Sequence, residues 1–234
     1  MLLNKLGIMN FSRRNKKVAL ARWNRVHAKE KEGISSNSNS LIMKAAICGF
    51  LAGDGSVQKR KEKTFYHYQI DFFPDDDIMM DTYIRQIKTI YNKIPRVKKD
   101  NKFYSVRFTS KIVVEDLYNL AEFGLKKWTL PKILFRISGA KENWLKAFFS
   151  AEAYVNSKSI KVQTINLNGM KEISNILNNM GIDNNYYEYN SKKKSESPVG
   201  IIFILKKESR LRFYNWIGFW HSKKTKTLKE SLGL

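Results

Sequence analysis

The sequence predicts an α+β fold of two pseudo-symmetric halves, each in the order αββαββα. The halves pack through a pair of equivalent helices and present a saddle-shaped antiparallel sheet surface. Two observations predict this. The first is a duplicated stretch, Ile47–Gly55 and Leu145–Ala153. Each copy is an apolar run ending on one acid, Asp54 or Glu152, with a valine three residues later, Val57 or Val155. The second is that the same succession of hydrophobic patterns follows each copy, the signature of an internal duplication. Within the copies small residues stand four apart, Gly49 and Gly53 in one, Ala147 and Ala151 in the other. Residues i and i+4 share a helix face, so each pair forms a stripe on which another backbone can approach closely. The copies read as two buried helices in contact through these four residues, each aiming a carboxylate from its C-terminal end.

The elements follow in order. Residues 1–39 form a basic arm and linker, for which three readings stay open: a helix gripping a nucleic-acid backbone, an organellar transit peptide, or a disordered leader. The first half spans 40–125. Ser40 is placed to N-cap its leading helix, and Gly55 to end it as a left-handed C-cap. Val57–Arg60 and Thr64–Phe73 alternate as a hairpin, with Tyr66, Tyr68, Ile70 and Phe72 on one face and Phe65, His67, Gln69 and Asp71 on the other. Pro74 and the acids Asp75–Asp77 open a helix to about Tyr91. A second hairpin occupies 95–109, with Tyr104, Val106 and Phe108 inward. Ser110 caps a helix expected to reach Phe123, before Gly124. Residues 126–143 read as a linker and 144–234 as the second half. That half repeats the order: a helix to Glu152, strands at 154–155 and 160–167, a helix from 168 to 180, strands at 185–190 and 199–205, and a helix from 208 to 217. A basic tail runs to Leu234.

Composition narrows the partner. The chain of 234 residues carries 43 Lys+Arg against 21 Asp+Glu, a formal charge of +22. Such an excess repels itself and suits a polyanion, nucleic acid first and an anionic membrane surface second. Cys48 is the only cysteine, which excludes a disulfide framework and cysteine-based zinc modules. No apolar run reaches the ~18 residues of a membrane span. Asn/Lys/Ile-rich usage points to an AT-rich genome, hence prokaryotic cytoplasm, archaeal above all, or an organelle.

The duplicated stretch, each copy heading a hairpin-helix-hairpin-helix, resembles the LAGLIDADG homing endonucleases in their single-chain form with two motif copies. Gly49, Asp54 and Gly55 match the name-giving letters in the first copy; Leu145, Ala151 and the acid Glu152 match in the second. Gly218–Lys224 resembles the family's glycine-then-basic segment after the last helix, and Gly124–Lys127 is its first-half counterpart. The resemblance covers residues 40–234 and implies a monomeric, site-specific double-strand DNA endonuclease, intron-encoded, with Mg²⁺ as cofactor and Mn²⁺ able to substitute. It implies Asp54 and Glu152 as catalytic metal ligands, with Gly53 and Ala151 beside them at the helix ends. Lys126, Lys127 and Lys224 would assist as charge-neutralising groups. Departures are Ala153 in place of a glycine, Ala52 and Ser150 in place of upstream acids, and Phe73-Pro74-Asp75 where the family often carries a polar or basic helper.

The chemistry also follows from the residues. A carboxylate at a helix C-terminus lies in a field of partial negative charge, a favourable place for a cation. Mg²⁺ takes oxygen ligands, needing one or two carboxylates plus substrate phosphates. One acid per half would serve one DNA strand each. Alone, each acid reads as a solvated helix end; the matched pair reads as catalytic. For recognition, a β-ribbon fits the major groove. The candidate DNA contacts are Gln58, Arg60, His67, Gln69, Ser105, Arg107, Lys161 and Gln163, with Lys192, Lys193 and Lys194 on phosphate. His221 reads as a surface or DNA-facing residue. The alternatives are an RNA-binding maturase for the host intron and a catalytically inert DNA-binding protein; neither needs the two acids.

Overall fold

The computed structural model describes residues 36–63, 65–100, 103–190 and 197–234, together with positions 15, 17–22, 24–26, 28 and 34. Most of the arm 1–39 and the turn carrying Lys192, Lys193 and Lys194 lie outside the described residues. The first half runs α1 (Ser38–Asp54), β1 (Gly55–Glu62), β2 (Phe65–Phe72), α2 (Asp77–Tyr91), β3 (Arg96–Asp100), β4 (Phe103–Phe108) and α3 (Lys111–Tyr118). The second repeats it as α4 (Ala140–Glu152), β5 (Tyr154–Val155), β6 (Ile160–Thr164), α5 (Leu167–Asn179), β7 (Asn185–Tyr189), β8 (Val199–Ile204) and α6 (Lys207–Trp216), then adds α7 (Ser222–Leu232). The strands form two separate four-stranded antiparallel sheets with the same order, β1-β2-β4-β3 and β5-β6-β8-β7.

Helices α1 and α4 cross at the centre. Residues Lys44 through Ala52 of α1 are all buried, as expected of a helix covered on every side. The small residues set the approach. A Cβ added at Gly49 would lie 2.3 Å from the Trp144 carbonyl oxygen and 2.9 Å from Ala147 Cβ; one added at Gly53 would lie 2.6 Å from Ala151 Cβ. Around this crossing Phe50 packs on Phe72 of its own half and on Trp220 of the other, while Phe148 packs on Trp144 and on Trp128 from the stretch between the halves.

Several boundaries differ from the sequence reading. The N-cap of α1 is Asn37, whose side chain accepts from Ser40 N at 2.8 Å, while Ser40 sits inside the first turn, buried. Gly55 is extended (φ −125°), not left-handed. It is small because a Cβ there would stand 2.5 Å from Leu51 Cα, so the chain turns hard against the helix it has just left. Helix α3 stops at Tyr118, well before Phe123. Strand β6 stops at Thr164 because Asn166 caps α5 through Gly169 N. The stretch 126–143 packs tightly: Trp128 is buried, its carbonyl accepts from Asn166 Nδ2 at 2.6 Å, and α4 already begins at Ala140. The tail expected after residue 217 contains α7, whose lysines hide an i, i+4 pair, Leu228 and Leu232, that buries one narrow edge. Among the described residues no helix is long and apolar enough to cross a membrane.

Candidate active site

The C-terminal ends of α1 and α4 bring Asp54 and Glu152 together. A Cβ added at Gly53 would lie 3.3 Å from Glu152 Cγ, so the second acid reaches across onto the first motif. The adjacent strand end fixes Asp54, whose carbonyl accepts from Phe73 N at 3.0 Å. Both carboxyls are pushed above their ordinary range, chiefly by burial. Glu152 rises to about 7, with the charge of Asp54 adding to the effect and Lys224 opposing it. For Asp54 Lys224 again opposes, and Asp75 adds. Two partly buried acids that repel each other are a site short of positive charge.

Lys224 supplies part of it. Its Nζ donates to the carbonyls of Ser150 (2.5 Å) and Ala151 (2.8 Å), the unpaired acceptors at the end of α4. Its burial lowers its own pKa, against the pull of Asp75, Asp54 and Glu152. The segment before α7 is pinned to α4 by Ser150, whose hydroxyl accepts from Trp220 N at 2.7 Å while donating to the Lys146 carbonyl at 2.6 Å. The serine that replaces an upstream acid therefore has a task of its own. Lys146 lies 5.2 Å from the Trp220 ring centroid, its pKa lowered by burial.

His221 is a correction to the sequence reading. It is buried, not on the surface, and it N-caps α7 by accepting from Lys224 N. Its Nε2 lies 3.4 Å from Asp75 and its Nδ1 lies 3.5 Å from Asp76. Asp76 also accepts from Ser222 N at 3.0 Å and from Ser222 Oγ, while capping α2 through Ile78 N and Met79 N. The two helix N-termini, one from each half, are thus clamped by shared acids. The hydrogen bond to His221 holds Asp75 below the usual carboxylate range.

Lys126 and Lys127 are not brought to this cluster. Both are exposed and line a separate cavity of about 510 Å³ with Asn166 and Glu172. A cavity of about 420 Å³ opens beside the acids, lined by Gly53, Ser56, Glu152, Gln163 and Thr164 among others. Among the described residues no group of three His, Cys, Asp or Glu forms a ready-made metal cage.

The candidate readers spread over the outer sheet faces. In the first sheet Gln58 pairs across from Gln69 and Arg60 from His67, with Asp71 paired to both Ser56 and Arg107. Gln58 donates to Ser56 Oγ, and Arg60 ion-pairs with Glu62 at 2.9 Å. Ser105 faces Lys98. The second sheet differs. Its outer face alternates Lys161 and Gln163 with Ile201, Phe203, Tyr187 and the exposed Tyr154, and Lys161 Nζ lies 5.7 Å from the Phe203 centroid. The apolar run 201–205 hid these positions, because here both faces of one strand are apolar.

Residues 140–218, the whole second repeat up to the glycine after α6, match the LAGLIDADG-like domain family. Over most of its length the fold is similar to that of solved homing endonucleases. A variant of the homing endonuclease I-DmoI, in complex with its target DNA in the presence of manganese, superposes with a TM-score of 0.62 at 18% identity, covering 77% of this chain and 95% of that one. The homing endonuclease I-WcaI bound to its DNA recognition sequence gives 0.55 at 19% identity, covering 86% and 91%. By sequence the chain is 24% identical over 193 residues to a glutamine–fructose-6-phosphate aminotransferase of Methanocaldococcus jannaschii. The match covers 80% of this chain but only 17% of that relative's length.

Proposed function

We propose that the chain is a site-specific double-strand DNA endonuclease, with Asp54 and Glu152 as its catalytic acids and Mg²⁺ as its cofactor, for which Mn²⁺ can substitute. The observation that carries this is the meeting of two raised-pKa carboxylates at the ends of a crossed helix pair, each heading its own four-stranded sheet. The DNA complexes of I-DmoI and I-WcaI, which share the fold, support the same reading.

The residues fit a hard divalent cation. The donors are carboxylate and helix-end carbonyl oxygens, and the burial that lifts Glu152, with the charge of Asp54 adding to it, is what a cation between the acids would offset. Asp54 and Glu152 would hold it, with the Gly53 and Ala151 carbonyls nearby; the latter already accepts from Lys224. Bound there, it would supply Lewis-acid stabilisation of the phosphoryl oxygens and a more acidic water. Lys224 keeps a fixed positive charge beside both acids and beside the developing charge of the scissile phosphate. The clamp of Asp75 and Asp76 on His221 and Ser222 holds that lysine in place across the two halves. The outer sheet faces of this strongly basic chain bind the duplex, with phosphate contacts that make affinity fall steeply with salt.

The test is a pool of supercoiled plasmids carrying random inserts, incubated with Mg²⁺ or Mn²⁺. Recovery of one defined sequence among linear products, lost in Asp54→Asn and Glu152→Gln with binding retained, is the expected result. Intact plasmid under both metals, with tight binding of one specific RNA or DNA, would replace the nuclease with a binding protein.

A further inference from the structure

We infer that Arg107 is a guanine-reading side chain held in its reading pose by Asp71, a positioning residue, and that the base it reads lies near the centre of the target. The inference rests on the endonuclease reading above and assigns one contact within it.

Asp71 lies on the outer face of the first sheet, where side chains alternate away from the core residues Ile70 and Phe72, yet it is buried. Two neighbours bury it. Arg107, paired with it across β2 and β4, donates from Nε to Oδ1, and Gln69 donates from Nε2 to Oδ2 at 2.6 Å. Gln69 in turn meets His67 through Oε1 at 2.9 Å. The carboxylate is thus spent on orienting its neighbours rather than on solvent.

The way Arg107 is held matters. A guanidinium is a rigid planar fork. Holding Nε on a carboxylate restrains the plane and leaves free the end-on pair of N–H groups, one on each Nη. Among the described residues neither Nη has a partner, and the side chain is about half exposed (52%) although its acid is only 4% exposed. Two parallel N–H donors presented outward are the complement of guanine O6 and N7 in the major groove. A side chain meant only to neutralise phosphate needs no such plane.

Across the same rung Arg96 of β3 sits directly opposite Arg107, also exposed. Like charges opposite each other on one sheet face destabilise the free protein, and a polyanion over the rung relieves the repulsion. The rung reads Ser56, Asp71, Arg107, Arg96. Ser56 is two residues past Asp54, about 7 Å at the strand rise of ~3.3 Å per residue. Arg107 stands two strands further along the rung, about 10 Å at ~4.8 Å per strand, so the base it reads lies near the centre of the target and not at an end.

The probe is a random-sequence duplex library, selected for binding in EDTA by wild type, Arg107→Lys and Asp71→Asn, with thermal melts confirming folding. Lysine keeps the charge and loses the fork. Asparagine offers one acceptor where two donors converge, so it must release Arg107 or Gln69. Wild type should enrich a sequence with guanine at one near-central position, favoured roughly 5- to 150-fold. Both variants should flatten that position alone. A wild-type selection that enriches nothing overturns the site-specific function and this contact with it. An enriched site whose near-central guanine persists in Arg107→Lys, or uniform weakening across all sequences, overturns the contact alone. Preference lost in Arg107→Lys but intact in folded Asp71→Asn overturns the positioning role.

Discussion

Replacing Glu152 by Gln should stabilise the metal-free protein above neutral pH. The folded chain holds Glu152 at about 7 against an ordinary value of 4.5. An acid whose pKa rises on folding favours its protonated form in the native state. Its contribution is fully present below pH ~4.5 and is lost as pH climbs through ~7. The gap is worth about 3 kcal/mol at ~1.4 kcal/mol per pH unit. Solvent reaching the carboxylate reduces this to roughly 1–2 kcal/mol. Glutamine keeps the shape and removes the charge, so it should recover that amount only at high pH. For a chain of this size that is a rise in Tm of about 2–8 °C. The assay is a thermal melt of both proteins in EDTA across the pH range. The curves should coincide near pH ~4.5 and separate by pH ~8, and Mg²⁺ should raise the wild-type Tm more than that of the variant. A variant no more stable than wild type at high pH, or one with the same advantage at every pH, would refute the coupled-acid argument.

Gly49→Ala should cost about 1–3 kcal/mol in a denaturant titration, since its Cβ would stand 2.3 Å from the Trp144 carbonyl oxygen and the helices must part to admit it. Gly53→Leu should abolish linearisation of the target while both acids remain, by wedging α1 from α4 beside Ala151; wild-type rates would sink that account. Lys224→Met should slow cleavage roughly 10- to 100-fold in single-turnover assays, whereas Lys126→Met and Lys127→Met, being exposed and lining another cavity, should change it by less than about 3-fold. Asp76→Asn should lower both Tm and the cleavage rate, because it loosens the hold on Ser222 that seats α7 and so Lys224.

The duplicated motif, the αββαββα order and the two acids could be read from the sequence because each rests on a short-range signal. Periods of 3.6 and 2 mark the elements, and small residues four apart mark a close crossing. A pair of acids at matching places says more than either acid alone. Caps and lengths were read less well. Asn37 and Ser40 are both good caps, and only packing chose between them; α3 stopped at Tyr118 although its helical pattern ran on. Tertiary structure alone decided the charge layout. Nothing local tells Lys224, whose charge acts on both acids, from Lys126 and Lys127, which line another cavity. His221 caps a helix that its lysine-rich sequence concealed, and it meets Asp75 from the other half of the molecule. Asp71 looked like one more polar residue on an alternating strand until the pairing of β2 with β4 set Arg107 against it. Sequence determines which faces are apolar and where carboxylates end helices, because those depend on neighbours a few residues away. Which charges share a site depends on contacts between residues as distant as Ser150 and Lys224, and only the folded chain brings those together.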